Sequence, residues 1–223
     1  MIIRAEGVSK QYFRKTQLAN YFYAVQETDI RLEEGKITAV MGRSGSGKST
    51  LLNMLAGLLQ PSGGKVLWGG TDIYSLGDRE LSRLRNANTG VIPQGQTSLA
   101  ALTVLENVKL PCLMYGKAAA DEYAAELLET VGIAHLADSY PTELSGGENR
   151  RLAIARALIQ RPSVIFADEP TGDLDDENTK TVLSLLRNTA DNGTAVLLVT
   201  HEADAVNYAD TLYKMDGGIL AKQ

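Results

Sequence analysis

The chain has a single cysteine, Cys112, in 223 residues. No internal disulfide can form, and this usage fits a reducing compartment. Cys112 lies between Pro111 and Leu113 in an apolar stretch, where a thiol reads as buried filler rather than a reactive group. Net positive charge is also missing: the formal charge is −5, with Lys and Arg scattered rather than clustered. That excludes a broad nucleic-acid-binding surface, so no nucleic-acid partner is expected. No apolar run approaches the roughly eighteen residues that a membrane-spanning helix needs. The N-terminal residues lack the basic segment and apolar run of a signal peptide. Any role at a membrane is therefore expected to come through a partner. Internal repeats and low-complexity tracts are absent as well. Apolar residues make up 44% of the chain, near the globular average, which argues against disorder. The length suffices for a sizeable core, as one large domain or two intimate lobes.

What is present alternates between strand and helix patterns. The first 35 residues predict short strands and turns. Ile2, Arg4, Glu6 and Val8 would share one strand face that mixes apolar with charged, and residues 24–32 alternate as a second strand closed at Glu34 and Gly35. Between them, Phe13 to Tyr23 reads as a polar–aromatic loop. Residues 36–41 read as a short buried strand. Leu51, Leu52, Met54, Leu55 and Leu58 are spaced for the apolar face of a helix, with Gly57 and Pro61 as stop signals. A strand at 66–68 with a turn at Gly69 and Gly70, a helix over 78–87 and a strand over 89–93 follow. From 103 to 137 the pattern is helical: Val104, Leu105, Val108 and Leu110 precede Pro111, and 118–131 carries Tyr123, Leu127, Leu128 and Val131 on one side before Gly132. Beyond 150 come a helix face from Leu152 to Ile159, a buried strand at 164–167, an amphipathic helix at 179–189, an apolar strand at 195–200, and a hairpin over 213–221 centred on Asp216, Gly217 and Gly218. Strands alternating with helices imply an α/β fold with a largely parallel sheet. A helical lobe from about 95 to 150 interrupts it.

Three stretches carry chemistry. Gly42 to Ser49 fits G-x-x-x-x-G-K-[ST] at every required position. Between a strand and a helix, this loop aims backbone N–H groups and the positive end of the helix dipole at one point. Gly42, Gly45 and Gly47 let the backbone curl around a phosphate without Cβ clashes. Lys48 can reach the β- and γ-phosphates, and the Ser49 hydroxyl can ligand Mg²⁺. The second stretch is the strand 164–167, which ends in Asp168 and Glu169 before Pro170. Acids at a buried strand tip need a compensating cation, so Asp168 is a candidate Mg²⁺ ligand, directly or through water. Glu169 is then placed to polarise an attacking water. Hydrolysis of a phosphoanhydride needs positioning, charge neutralisation and an oriented water, and Lys48, Ser49, Asp168 and Glu169 supply these.

The third stretch is Leu144 to Glu148. Ser145 and Glu148 fit the S/T-x-x-E box that opens a helix, and Leu152, Ala153, Ile154, Ala155, Ala157 and Leu158 continue one. A cap alone does not account for Gly146 and Gly147 in the first turn, where each costs up to about 1 kcal/mol relative to alanine. Close approach of an anionic phosphate would account for them. Since the chain already has one phosphate loop, a second site invites a dimer, in which Ser145, Gly146 and Gly147 of each chain cap the nucleotide held by the other.

With these motifs in this order over nearly its whole length, the sequence resembles the ATP-binding-cassette (ABC) transporter ATPases. The resemblance implies a P-loop NTPase core with a mixed, mostly parallel sheet, an N-terminal antiparallel β-subdomain and an inserted helical subdomain. The corresponding bounds are about 1–35 for the β-subdomain strands, 36–94 and 150–223 for the nucleotide-binding core, and 95–149 for the helical subdomain. Gly42, Arg43, Ser44, Gly45, Ser46, Gly47, Lys48, Ser49 and Thr50 resemble the Walker A loop. Gln94 resembles the Q-loop glutamine, favoured over Gln96 by its distance from the segment Leu102 to Val108. Leu144 to Glu148 resembles the signature motif, with Glu148 where many members carry glutamine. Val164 to Glu169 resembles Walker B with the catalytic glutamate, and Gly172, Asp173, Leu174 and Asp175 resemble the D-loop. His201, after the strand 195–200, resembles the switch histidine that meets the γ-phosphate. Tyr12 is the implied adenine-stacking aromatic, with Phe13 and Tyr23 as rivals. The implied cofactors are ATP and Mg²⁺: Lys48 on phosphate, Ser49, Gln94 and Asp168 on the metal, Glu169 on the water, and Ser145 to Gly147 across the dimer. Two departures stand out. Pro93 replaces a common aromatic and stiffens the entrance to Gln94. Asn149 and Arg150 follow the signature where glutamines are more usual.

Pro170 to Asp175 and Leu102 to Val108 are similar to the ATPases of lipoprotein-releasing, macrolide-efflux and antimicrobial-peptide exporters, a group that includes the bacterial cell-division cassette ATPase. With a hairpin as its last predicted element, the sequence is not expected to carry the C-terminal regulatory domain of some importers. The implied function is that of a cytoplasmic ATPase subunit, held at the inner face of the cell membrane by a separate integral membrane permease and acting as a homodimer around two MgATP. The alternative is a nucleotide-gated regulator of a cell-division or cell-wall complex that transports nothing. A DNA-repair cassette is a weaker reading, given the short helical insert without a coiled coil and the negative charge.

Overall fold

The chain begins with β1 (Ile3–Phe13), β2 (Tyr21–Leu32), β3 (Ile37–Met41), α1 (Lys48–Leu55), β4 (Gly63–Trp68), β5 (Thr71–Asp72), α2 (Asp78–Asn88) and β6 (Thr89–Ile92). It continues through α3 (Val104–Leu113), α4 (Asp121–Thr130), α5 (Gly146–Leu158), β7 (Val164–Asp168), α6 (Asp176–Asp191), β8 (Ala195–Thr200), β9 (Thr211–Asp216) and β10 (Ile219–Lys222). The computed structural model describes residues 2–13, 21–95, 97–114, 121–172 and 174–223. Part of the predicted aromatic loop (14–20), the rival glutamine Gln96, the first residues of the helix predicted over 118–131, and Asp173 of the predicted D-loop lie outside the described residues.

One sheet is antiparallel, in the order β2-β1-β4-β5. Its first two strands are longer than expected. Phe13 and Tyr21–Tyr23 belong to them rather than to a loop, because Tyr12 pairs with Phe22 and Phe13 with Tyr21 across the ladder, and cross-strand aromatic pairs stabilise strands. The expected mixed face of β1 does not exist either. Ile3 and Ala5 are buried while Arg4 and Glu6 face out, and a register shift between Ala5 and Val8, with Gly7 at φ 59°, brings Val8 back into the core. A β-bulge thus reconciles an irregular sequence with one buried face.

The other sheet has the order β10-β9-β3-β8-β7-β6, with β10 antiparallel and the remaining strands parallel. Helix α1 lies between the two sheets, with Leu51, Leu52, Met54 and Leu55 all but fully buried. Leu58 was expected on that face, but the helix ends at Leu55 and Leu58 is half exposed. Eight residues are too few for a helix to stand alone in water. Neighbours instead satisfy the carbonyls at its C-terminal end. Trp68 Nε1 donates to Leu55 O (3.0 Å), the Tyr74 hydroxyl to Met54 O (2.7 Å), and Arg85 to Gly57 O (2.6 Å). Burial pushes the Tyr74 phenol up, which keeps it a donor. The helix N-terminus is thereby held fixed at the edge of the sheet.

The strands of the parallel sheet alternate between two cores. Val164, Phe166, Leu197 and Val199 face α1 and the antiparallel sheet, where Trp68 stacks on Phe166 with ring centroids 6.5 Å apart. Ile165, Ala167, Val196 and Leu198 face a layer built by α3, α4, α5 and α6. Cys112 is buried there as filler. In register, Met41 pairs with Thr200 and Asp168 with Val199, so the carboxyl ends of β3, β8 and β7 form one rim. Ligands of open α/β sheets bind at such a rim.

Asp210 ties this frame together at the opposite end of β3. It accepts from Ile37 N (2.8 Å), Arg187 (2.7 Å) and Lys36 (3.2 Å). Partial burial pushes its carboxyl up, but these hydrogen bonds outweigh burial and hold it at about 2. A depressed carboxylate pKa stabilises the fold fully above the unfolded value of about 3.9 and loses that contribution as pH falls toward the folded value. Asp210→Asn should therefore cost about 1–2 kcal/mol near neutral pH, a figure already reduced for solvent exposure. Urea denaturation of both proteins checks this: the gap should narrow once the pH drops below about 4. A gap absent at neutral pH, or constant into acid, would contradict it.

Candidate active site

The loop 42–47 joins β3 to α1 and is packed from both sides. A Cβ at Gly42 would strike the Met215 carbonyl oxygen and one at Gly47 that of Ala24, whereas Gly45 meets nothing within 4 Å. Two of the loop's glycines are thus required by the strands beneath it, through a close approach. Gly42 N donates to Thr200 O (3.3 Å) and Gly218 N to Ser46 O (3.0 Å), which fastens the loop to β8 and to the β9–β10 turn. No side chain caps the start of α1, and no acidic residue lies in its first turn. Its first amides are left as an anion-binding end. The Ser46 hydroxyl is buried without a partner. Such an orphan polar atom belongs at a ligand site. Lys48, 5% exposed, crosses the loop mouth and donates to Gly42 O (2.7 Å) and Arg43 O (3.1 Å).

The two acids at the tip of β7 are buried beside this loop, Asp168 at 8% and Glu169 at 7% exposure. Ser49 Oγ donates to Asp168 Oδ1 at 3.0 Å. Burial pushes the Asp168 carboxyl up, opposed mainly by that hydroxyl. Among the described residues no cluster of three His, Cys, Asp or Glu side chains could cage a metal. The adjacent oxygens of Ser49 and Asp168 nonetheless fit Mg²⁺, which takes few protein ligands and completes its shell with water and phosphate oxygens. Glu169 has a left-handed backbone, φ 46°, and its N–H donates to Val199 O (2.9 Å). For a non-glycine residue that conformation costs of order 1–2 kcal/mol, and it aims the side chain across the rim. Glu169 Oε1 faces Lys48 Nζ at 3.4 Å, and Oε2 meets His201 Nδ1 at 2.9 Å. Lys48, Ser49, Asp168, Glu169 and His201 form one connected cluster.

A groove runs from this cluster along the loop to the antiparallel sheet. Ser44, Gly45, Gly47, Lys48, Ser49, Thr50, Gln94, Glu169, Tyr12 and Tyr23 all line it. Arg43 and His201 lie on the other side of the loop, along a second cleft beside β9. Phe13 is not in the groove and packs edge-on against Tyr21, with centroids 5.4 Å apart. Phe22, absent from the sequence-based candidates, does line it and stacks on Tyr12 at 5.8 Å. Its signal was the alternation of β2, which the loop reading obscured.

Ser145, Gly146 and Gly147 are not in this groove. Ser145 caps α5: its hydroxyl accepts from Glu148 N and donates to Glu148 Oε2 at 2.7 Å. These bonds from Ser145 hold the Glu148 carboxyl below its usual range. The two glycines differ. A Cβ at Gly147 would lie 2.6 Å from Asn178 Oδ1, so a larger residue there would have to displace that side chain on α6. Only Gly146, with nothing within 4 Å of such a Cβ, is open to an approaching ligand. Asn178 itself is held by Asp175 and Arg151. No local pattern could have disclosed that contact 31 residues away.

The ABC transporter family profile matches residues 25–172. The chain belongs to the ABC transporter family. Along its full length this cassette is 40% identical over 225 residues to the lipoprotein-releasing system ATP-binding protein LolD of Saccharophagus degradans, covering 100% of this chain and 97% of that protein. It is 42% identical over 198 residues to LolD 1 of Rhodopirellula baltica, covering 87% and 86%. The dimeric structure of MJ0796, a bacterial ABC transporter cassette, superposes with a TM-score of 0.89 at 32% identity, over 99% of this chain and 98% of that one. A dimeric post-hydrolysis state of the MJ0796 cassette bound to ADP and Pi gives 0.88 at 31%, with the same coverage. The expected architecture is thereby met: an antiparallel sheet and a mixed, mostly parallel sheet with helices. The chain is an ATP-binding cassette ATPase of a transporter.

Proposed function

We propose that this cassette is the ATP-hydrolysing subunit of a lipoprotein-releasing or related export complex, in which two copies sandwich two MgATP and drive a separate integral membrane permease from the cytoplasmic face of the membrane. The observation that carries the reading is the division of the site. The phosphate loop and its acids form one connected cluster, while Ser145 and the open Gly146 present a second helix N-terminus outside that groove. The dimeric MJ0796 cassettes and the lipoprotein-releasing relatives support it. Among the described residues no helix is long and apolar enough to cross a membrane, and this reading gives the crossing to the permease.

The geometry supports the following roles. Lys48 exchanges its loop carbonyls for β- and γ-phosphate oxygens, and the amides of 45–49 hold the rest of the anion. Ser49 and Asp168, with Gln94 of the same groove, would hold Mg²⁺, which when bound would neutralise phosphate charge. Glu169, braced by His201, orients a water toward the γ-phosphorus. The new P–O bond forms as the bond to the β–γ bridging oxygen breaks and the water's proton passes to the Glu169 carboxylate, giving ADP and phosphate. Tyr12, backed by Phe22, offers a flat face to adenine. Ser145 and Gly146, with Gly147 packed behind them against Asn178, close on the partner's nucleotide, and segment 95–149 hands the motion to the permease. ATP favours the closed pair and products the open one, as differential affinity requires.

The test is the dependence of turnover on protein concentration. Specific MgATPase activity should rise with concentration, because the competent site needs two chains. A rate per chain that stays flat across the range where light scattering finds only monomer would overturn the sandwich.

A further inference from the structure

Two departures from the family's usual pattern, Pro93 and Arg150, are joined in space. Arg150, in the second turn of α5, is 8% exposed, and its Nη1 donates to Pro93 O (3.0 Å) and Gly95 O (3.2 Å). These are the two carbonyls that flank Gln94. Two turns further along, Arg156 donates to Thr97 O (2.9 Å) and Thr97 Oγ1 (2.6 Å). The start of α5 is anchored in turn by Asn149, whose amide donates to the carbonyls of Pro141, Leu144 and Ser145. The helix that carries Ser145 and Gly146 thus also grips the segment that carries Gln94.

We infer that Arg150 is a positioning residue: it fixes the backbone on both sides of Gln94, so that the Gln94 amide is presented to the metal–phosphate end of the groove and shifts together with the first turn of α5. Proline before Gln94 has a fixed φ and no N–H, and it restricts Ile92 as well. The two carbonyl bonds hold the segment on the far side of that proline. A shift of about 1 Å in a ligand-positioning group costs up to about a hundredfold in rate. The role rests on the proposed nucleotide function of Gln94, and it adds a direct tie between one chain's own nucleotide groove and the helix end offered to its partner.

The test compares Arg150→Ala, Arg150→Lys and Gln94→Ala, singly and as the Arg150→Ala/Gln94→Ala double variant. In the nucleotide-free protein, Arg150→Ala should speed hydrogen exchange at the Gln94 and Gly95 amides while leaving the amides of 45–49 unchanged. In turnover, Arg150→Ala should raise the Mg²⁺ midpoint and lower kcat by about ten- to a hundredfold, with a smaller change in KM for MgATP. Arg150→Lys, which can still reach one carbonyl, should recover part of both. The decisive expectation is non-additivity: once Gln94 is alanine, removing Arg150 should change kcat less than twofold. Equal losses from Arg150→Ala in the parent and in the Gln94→Ala background would overturn the inference, as would an unchanged Mg²⁺ midpoint or unchanged exchange at 94–95. A parent protein without MgATP turnover would instead overturn the proposed function on which it rests.

Discussion

Glu169→Gln is expected to lower MgATP turnover by about 10²–10⁴-fold, the range for losing a general base. That corresponds to about 3–5.5 kcal/mol of barrier. Glu169 holds its position through its backbone, at φ 46° with its N–H on the Val199 carbonyl, and through contacts of both carboxylate oxygens. Glutamine keeps the shape and can turn its carbonyl oxygen toward Lys48 and its amide toward the ring of His201. The variant should therefore fold and bind nucleotide through the phosphate loop. What it loses is the negative charge that the proposed mechanism uses to polarise water. The same charge opposes the γ-phosphate, so its removal favours the ATP-bound pair. Size-exclusion chromatography should find the variant dimeric in MgATP and monomeric in MgADP. Turnover at the parent rate would remove Glu169 from the chemistry. An inactive variant that never dimerises would count against the sandwich rather than against the glutamate.

Legibility in the sequence followed the range of the interaction. The phosphate loop, the acids at the tip of β7 and the capping box of α5 are local devices. Their spacing is their geometry, and each was readable before any coordinates. The capping box of Thr103 and Glu106 before α3 is equally local, but the pattern of apolar residues there was read without it. Leu58 shows the limit: its spacing suited α1, but Gly57 at φ 70° ends the helix first. The lengths of β1 and β2 depend on cross-strand partners such as Tyr12 and Phe22, which composition presented as a loop.

Features set by distant parts of the chain were not readable at all. Asn178 lies against Gly147, a neighbour that no argument from the first turn of α5 contains. Arg150 appeared as a departure from a pattern, and only the fold shows that it meets Pro93 and Gly95, more than fifty residues earlier. The left-handed backbone of Glu169 is likewise a property of the rim, where β7 turns away beside β8.

Lys48→Ala should abolish productive nucleotide use, and it should also move stability. Lys48 is buried beside Glu169, with Nζ 3.4 Å from Oε1. Removing the cation deprives the phosphates of the charge that spans the loop mouth, and turnover should fall by at least about 10²-fold, as for loss of a preorganised electrostatic contact. It also leaves a buried carboxylate held, among the described residues, only by the His201 ring and the His201 backbone N–H. Breaking a buried pair costs more than the pair itself is worth, because the survivor stays desolvated. The expected loss is about 1–3 kcal/mol, or roughly 2–12 °C in Tm for a chain of this size. The double variant Lys48→Ala/Glu169→Gln separates the two effects. With the stranded charge gone, most of the lost stability should return, while turnover stays as low as in either single variant. Thermal melts and an ATPase assay on the four proteins of this cycle measure both quantities. Turnover of Lys48→Ala within about twofold of the parent, only ~0.4 kcal/mol in barrier, would refute the phosphate role. A double variant whose Tm loss equals the sum of the two singles would show that the pair was never coupled in the fold.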